Sequence, residues 1–183
     1  MTSDRVRRAR GWSCLAVVVL LAGCATPAPG GAGREYLDEQ TAATVTVGAP
    51  ALVFARERPD LAVHARDYLT IVPVDVNRSG AHAQYFVGYA WSTIDKRSLA
   101  GEPATPSLFE LVADGRRIPL VQHPGSLHEL GLGEPPVPPP ARSATLLVAP
   151  ASREQQEFVL SAADVRAVLV RDEGSARYEL WRR

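Results

Sequence analysis

From Arg34 onward, apolar and polar residues alternate in short runs that are separated by turn residues. A period of two is the spacing at which side chains lie on the same face of a β-strand. The sequence has no long segment with the 3.6-residue period of an amphipathic helix. The alternation predicts strands near 43–47, 51–57, 68–77, 83–93, 107–113, 116–122, 143–149, 155–160, 165–171 and 176–182.

Turn residues between these runs predict two hairpins. Asp114-Gly115 separates two alternating runs within 108–121, and an Asp-Gly pair readily takes the positive φ angles of a type I′ turn. A second hairpin is predicted over Val165–Trp181, turning through Asp172-Glu173-Gly174. So many short strands predict an all-β fold, namely an antiparallel β-sandwich of the immunoglobulin-like kind, with a small β-barrel as the alternative.

Helical structure is expected only as single turns. Ser161-Ala162-Ala163-Asp164 is predicted to form one turn with Ser161 as its cap, and Tyr36–Ala43 is compatible with another. Residues 123–142 are predicted to form a long connection that is rich in glycine and proline. A loop of that length is uncommon in a compact domain and is often functional or disordered.

The start of the chain has the pattern of an export signal. Four arginines and one acid lie within the first ten residues, and the apolar run Cys14–Ala22 follows. A basic start, an apolar segment of about 7–15 residues and small residues at the cut are typical of a secretory signal. The run is shorter than the roughly 20 apolar residues of a membrane-spanning helix. We therefore expect residues 1–23 to be removed.

The residues Leu21-Ala22-Gly23-Cys24 resemble the lipobox of bacterial lipoproteins. The resemblance implies that the Cys24 thiol receives a diacylglycerol and that cleavage occurs between Gly23 and Cys24. The acylated cysteine then attaches the mature chain to a membrane. Position 25 is alanine rather than aspartate. By resemblance to the enterobacterial sorting rule, this implies an outer-membrane lipoprotein that faces the periplasm, with the outer leaflet of the inner membrane as the alternative.

Removal of residues 1–23 leaves a mature chain of nearly balanced charge. It has 16 basic and 19 acidic residues and a formal charge of −3, which argues against a nucleic-acid partner. The two cysteines of the sequence are Cys14, in the signal, and Cys24, so none remains for a disulfide or a thiolate metal site. Residues 24–34 are rich in small residues, proline and glycine and predict a flexible tether before a single domain over 35–183.

One predicted strand carries an aromatic stripe. Alternation places Tyr85, Val87, Tyr89 and Trp91 on one face and Phe86, with two small residues, on the other. The stripe is predicted to build the core. The alternative is an exposed platform that stacks on sugar rings or packs against a partner.

The proline-rich stretch 135–140, which includes Pro136 and Pro139, predicts extended polyproline II structure. Such a stretch usually acts as a stiff spacer or protects a sheet edge. The alternative function is recognition by an aromatic groove of a partner.

No recognisable catalytic, metal or cofactor site is apparent in the sequence. Ser126 lacks the G-x-S-x-G setting of a nucleophile elbow, and Ser92-Thr93-Ile94-Asp95 is equally typical of a turn. His123 and His128, with Glu129, have a spacing that fixes no coordination geometry, and His64 and His82 are expected to be surface residues. We expect a protein that is not an enzyme and has no cofactor.

Several stretches are similar to small uncharacterised lipoproteins of proteobacteria, namely Glu35–Glu39 with Thr44–Thr46, Arg66–Leu69 and Trp91–Asp95. This resemblance implies no activity. The leading hypothesis is a lipid-anchored module that binds or supports an envelope partner. The alternatives are a lipoprotein that binds a glycan or peptide and a hydrolase with an unfamiliar site. The candidate ligand or partner surface is formed by Tyr85, Tyr89, Trp91, Pro136 and Pro139.

Overall fold

The computed structural model describes residues 33–94, 108–171 and 174–183, which form ten β-strands and one α-helix. The strands and the helix are β1 (Arg34–Asp38), β2 (Ala43–Val47), β3 (Leu52–Glu57), β4 (Arg66–Arg78), β5 (Ala81–Ser92), β6 (Leu108–Ala113), β7 (Arg116–Val121), β8 (Thr145–Pro150), α1 (Arg153–Ser161), β9 (Val165–Arg171) and β10 (Gly174–Arg182). The predicted signal, Cys24 and nearly all of the tether lie outside the described residues, and β1 begins at Arg34, the last residue assigned to the tether.

All strand pairings within the described residues are antiparallel, and the all-β prediction is confirmed. The predicted Asp114-Gly115 hairpin joins β6 to β7, with φ angles of 45° and 84° at its two turn residues. The second hairpin is formed by β9 and β10, which pair from Arg171 opposite Gly174 onward, while Asp172 and Glu173 lie outside the described residues.

The longest strand, β4, is the centre of the sheet. One edge of β4 pairs with β5 along its whole length, and β5 in turn pairs with β8. The other edge is shared, because β3 pairs with Arg66–Ile71 and β2 pairs with Val74–Asn77. Beyond β3 the sheet continues through β10, β9, β6 and β7, and beyond β2 it ends at β1. The sheet curls like half of a barrel.

Two residues fit the shared edge of β4 and its close approach to β5. Pro73 has no N–H to donate, and it falls between the end of β3 pairing and the start of β2 pairing, where its carbonyl accepts a hydrogen bond from Gly48 at 2.8 Å. Gly88 lies opposite Ile71, and a Cβ atom there would be 1.7 Å from the Thr70 carbonyl oxygen. Glycine at this position permits the close approach of β4 and β5.

The ends of the curled sheet approach each other at β7 and β8. The chain that follows β7 donates a hydrogen bond from the His123 N–H to the Val148 carbonyl at 2.7 Å. The side-chain oxygen of Gln122 accepts a hydrogen bond from the Val148 N–H at 3.1 Å. These bonds use both the N–H and the carbonyl of Val148, and they partly close the barrel.

The main core lies on the face of the sheet that we define as inner. It contains side chains from β3 through β10 and from the end of α1, including Phe54, Leu69, Phe86, Phe109 and Leu169. Phe86, predicted to point away from the aromatic stripe, is fully buried here. The α-helix packs its Val159 against the same cluster. No helix within the described residues is both long enough and apolar enough to cross a membrane.

Helix α1 corrects the prediction of a strand over 155–160 and of a turn capped by Ser161. Ser152 caps the helix, accepting a hydrogen bond from the Gln155 N–H at 3.1 Å, and the Gln155 side chain accepts one from the Ser152 N–H at 2.8 Å. Ser161 is the last helical residue instead. The apolar residues 158–160 fit either a short strand or one face of a helix, and the capping box decides in favour of the helix.

Candidate functional site

The outer face of the central strands is divided into a covered part and an uncovered part. Residues 123–142, which we call the covering segment, pack Leu127, Leu130, Leu132 and Val137 against valines of β2, β4 and β5. This second hydrophobic cluster is separate from the main core. The long connection predicted from the sequence is therefore a packed part of the domain, although it contains no strand or helix.

Hydrogen bonds from β1 and the turn after it hold the covering segment in place. The buried Asp38 carboxylate accepts hydrogen bonds from the Gly133 N–H at 2.6 Å, the Gln40 N–H at 3.0 Å and the Thr41 N–H at 3.2 Å. The Thr41 hydroxyl donates to the Gly131 carbonyl at 2.8 Å. Burial opposes the charged form of Asp38, but the three N–H donors outweigh it and hold the pKa of the carboxyl below its usual value.

Four residues of the predicted ligand surface lie in the covered part or in the covering segment itself. Tyr85 and Tyr89 are buried, and burial raises the pKa of both phenols. The Tyr89 hydroxyl donates to the Val137 carbonyl at 3.0 Å. Pro136 is buried and its carbonyl accepts from Arg34 at 2.9 Å, whereas Pro139 is exposed. The core prediction is confirmed for the two tyrosines, so neither presents a ring to a ligand.

Trp91, the fifth of those residues, lies in the uncovered part. It is half-buried and stacks on Tyr68 of β4, its cross-strand neighbour, with ring centroids 4.3 Å apart and an interplanar angle of 15°. The indole Nε1 is buried and has no hydrogen-bond partner among the described residues. The stacked pair therefore forms a semi-rigid aromatic platform at the end of the β4–β5 hairpin.

A third aromatic residue extends this platform across the sheet. Trp181 of β10 is 58% exposed, and the Arg66 guanidinium lies over its ring at 4.6 Å from the centroid. The guanidinium also donates to Glu57 at 3.2 Å. Hydrogen bonds with the Tyr68 hydroxyl and with Glu57 raise the pKa of Arg66. Tyr68, Trp91, Arg66, Trp181 and Glu57 thus form one connected group, which we call the aromatic surface.

A buried ion pair supports the end of the sheet that carries the aromatic surface. Arg58 donates to Asp67 at 2.9 Å, and both side chains are almost completely buried. Arg58 also donates a hydrogen bond to the carboxylate of the exposed Asp60, with a distance of 2.8 Å between Nη2 and Oδ2. Because Asp67 lies between Arg66 and Tyr68, this pair fixes the backbone from which both of those residues project.

Several of the groups considered for catalysis and metal binding have local structural partners, whereas Asp95 lies outside the described residues. His123 Nδ1 accepts a hydrogen bond from the Gly125 N–H at 2.9 Å, and Glu129 accepts one from the Ser126 N–H at 3.0 Å. The Ser92 hydroxyl donates to the Arg66 carbonyl at 3.3 Å. Within the described ranges, no three His, Cys, Asp or Glu side chains are grouped in a way that would hold a metal ion.

A shallow groove runs along the outer edge of β1. It is lined by Arg34–Gln40, Glu134 and Pro135, and Leu37 at its margin is 63% exposed. Arg34 lies over the Tyr36 ring at 4.9 Å. Charged residues at a sheet edge discourage pairing with other chains, and β1 exposes two of them, Arg34 and Glu35. We therefore regard the groove as a protected edge.

The sequence pattern identified Trp91 but not its partners. Tyr68 is found by extending the β4–β5 register outward from the turn at Ser79-Gly80, whose residues have φ angles of 50° and 89°. That turn is a signal that the sequence carries. Arg66 and Trp181 meet across β3, so their contact depends on the strand order and has no local signal.

Comparison with protein-family models, with curated proteins and with solved structures found no match to the chain.

Proposed function

We propose that this chain is the precursor of a lipid-anchored cell-envelope protein whose domain works by binding a partner through the aromatic surface. In this proposal the domain is not an enzyme. Cys24 carries the lipid, and the anchor holds the domain at the outer membrane on its periplasmic side.

The motif Leu21-Ala22-Gly23-Cys24 supports the anchor, because it combines small residues at the cut with a thiol at the acylation position. β1 begins at Arg34, ten positions after Cys24. A chain of that length spans at most about 35 Å when fully extended. The domain would therefore stay close to the membrane surface, where envelope components are its nearest partners.

The observation that carries the binding proposal is the aromatic surface. Tryptophan, tyrosine and arginine are the residues that most often dominate binding energy at interfaces. Here Trp181 is largely exposed, Arg66 is fixed over its ring, and Tyr68 and Trp91 are stacked beside it. A group already held in place loses little conformational entropy on binding, which favours a binding role.

The part of the proposal that excludes catalysis is supported by the hydrogen bonds of the candidate hydroxyls and carboxylates. Ser126 and Glu129 bond each other's backbone N–H groups, at 3.4 and 3.0 Å, as in a local turn. The carboxylate in the aromatic surface, Glu57, is paired with Arg66.

The test is site-specific photocrosslinking in the intact cell. A photoreactive phenylalanine analogue replaces Trp181 in the full precursor, and the matched control carries it at Val121, which is also 58% exposed but lies on β7. The proposal expects a discrete adduct from position 181 and none from position 121. Equal labelling at both positions, or no adduct at 181, would contradict it.

A further inference from the structure

The aromatic surface has a chemistry that indicates a class of ligand. We infer that it binds a neutral carbohydrate chain whose sugar rings carry equatorial substituents. This inference rests on the proposed function and specifies the partner class. It uses three properties of the surface: an exposed ring, polar groups beside that ring, and paired charges.

The exposed ring is the first property. A sugar ring with equatorial substituents presents a face of C–H groups, which packs against the negative face of an aromatic ring. Trp181 is 58% exposed, and Arg66 lies over one of its faces. A sugar ring would contact the exposed part of the Trp181 ring beside the Arg66 guanidinium. The half-buried Tyr68–Trp91 stack provides a second apolar contact on the same sheet face.

The polar groups are the second property. Sugar hydroxyls both donate and accept hydrogen bonds, so a carbohydrate site needs both kinds of partner close to the ring. Arg66 supplies N–H donors, and Glu57, 3.2 Å from it, supplies carboxylate acceptors. Their contact places a planar donor group and a planar acceptor group side by side next to the ring.

The charge pattern is the third property, and it separates a neutral glycan from an anionic ligand. Arg66 is paired with Glu57, and Arg177 is paired with Glu179 on the neighbouring part of β10. Arg182 adds one positive charge at the end of the same strand. A surface with so little excess charge does not strongly attract a polyanion. It favours a ligand bound by stacking and hydrogen bonding.

The shape of the site indicates a chain rather than a single sugar. The aromatic surface crosses β10, β3, β4 and β5 on the open face of the sheet, where the side chains form a platform and not an enclosed pocket. Small molecules need a concave site that buries most of their surface. An extended glycan makes many weak contacts along a platform instead.

The tryptophan content of the chain provides a direct test. The three tryptophans are Trp12, Trp91 and Trp181, so processing before Cys24 leaves two, both in the aromatic surface. The processed protein, purified from membranes in detergent, is titrated with chitohexaose and with cellohexaose while its emission is recorded. Oligogalacturonate of the same length is the anionic comparison. Trp91→Phe and Trp181→Phe assign the change to a residue.

We expect a saturable emission change with a neutral hexaose, and affinity weakened about tenfold or more in Trp181→Ala. Leu37→Ala, on the distant β1 edge, should leave affinity unchanged. Unchanged thermal unfolding of Trp181→Ala would show that the domain is still folded.

Absence of saturable binding by both neutral hexaoses would overturn the inference, as would salt-sensitive binding of the anionic oligomer alone. If position 181 still crosslinks a protein in cells, the proposed function stands and the ligand class is wrong. If neither the crosslinking nor the titration shows binding, both the proposed function and the proposed ligand class are wrong.

Discussion

Replacing Asp38 by asparagine should loosen the covering segment. The Asp38 carboxylate is buried and accepts three backbone N–H bonds, the shortest from Gly133 at 2.6 Å. Asparagine has the same shape, but its amide has one oxygen and an NH₂ group, so at least one of the three N–H donors loses its acceptor. A lost charge-assisted bond together with a buried unpaired donor costs roughly 2–4 kcal/mol of unfolding free energy at pH 7.

The effect of Asp38→Asn should depend on pH. The folded pKa of Asp38 is lowered below that of the unfolded chain, which is about 3.9. The stabilisation by its charge is therefore complete above the unfolded pKa and is lost as pH falls through the folded pKa. The difference between wild type and Asp38→Asn should be largest at pH 5–7 and should shrink below about pH 4.

Urea unfolding followed by tryptophan emission at pH 7 and at pH 3 measures both quantities. Glu39→Gln is the matched control, because the neighbouring Glu39 is exposed and has the same change of charge. A difference below about 0.5 kcal/mol at pH 7, the range of ordinary surface substitutions, would refute the hydrogen-bond argument. A difference that is equal at both pH values would refute the assignment to the charge.

Three further substitutions test the packing. Leu132→Ala, at a fully buried position of the covering segment, should cost about 2–5 kcal/mol by urea unfolding, whereas a loose loop would show almost no change. Gly88→Ala should abolish the cooperative thermal transition in circular dichroism, since its Cβ would lie 1.7 Å from the Thr70 oxygen; a normal transition would contradict the close approach of β4 and β5. Asp67→Ala removes the buried carboxylate that Arg58 contacts at 2.9 Å and should cost about 3 kcal/mol in the same urea assay, and a loss below about 1 kcal/mol would contradict the ion pair's role.

Local patterns were sufficient to predict most strands. The alternating runs identified β2 through β10 closely, because most of these strands alternate between buried and less buried positions. The Asp114-Gly115 turn gave both the position and the register of its hairpin. β1 was missed because the first three of its five residues include two exposed charged positions and no buried one.

Features that depend on tertiary packing were not predictable in the same way. Leu127, Leu130, Leu132 and Val137 in the covering segment follow neither a period of two nor one of 3.6, so their burial depends on the sheet beneath them. The strand predicted over 155–160 was wrong for a different reason, because the capping box at Ser152 is a local signal that outweighs the short apolar run.

The residues of the candidate site also divide into those that local patterns predict and those that only the fold brings together. Trp91 followed from strand alternation, and its pairing with Tyr68 required only the register of one hairpin. Tyr85 and Tyr89 share its face, but the covering segment buries them and leaves Trp91 beyond its reach. The contact of Arg66 with Trp181 joins residues more than a hundred positions apart, so only the three-dimensional fold reveals it.

The proposed lipid anchor at Cys24 matters most, because it would determine which partners the aromatic surface meets. The direct measurement is intact mass combined with membrane fractionation of the wild type and Cys24→Ala, expressed in a bacterium with lipoprotein processing. We predict that the wild type begins at Cys24, carries acyl chains and fractionates with the outer membrane, while Cys24→Ala is neither acylated nor retained there. Identical cleavage and a soluble product from both proteins would contradict the anchor and the proposed location of the domain.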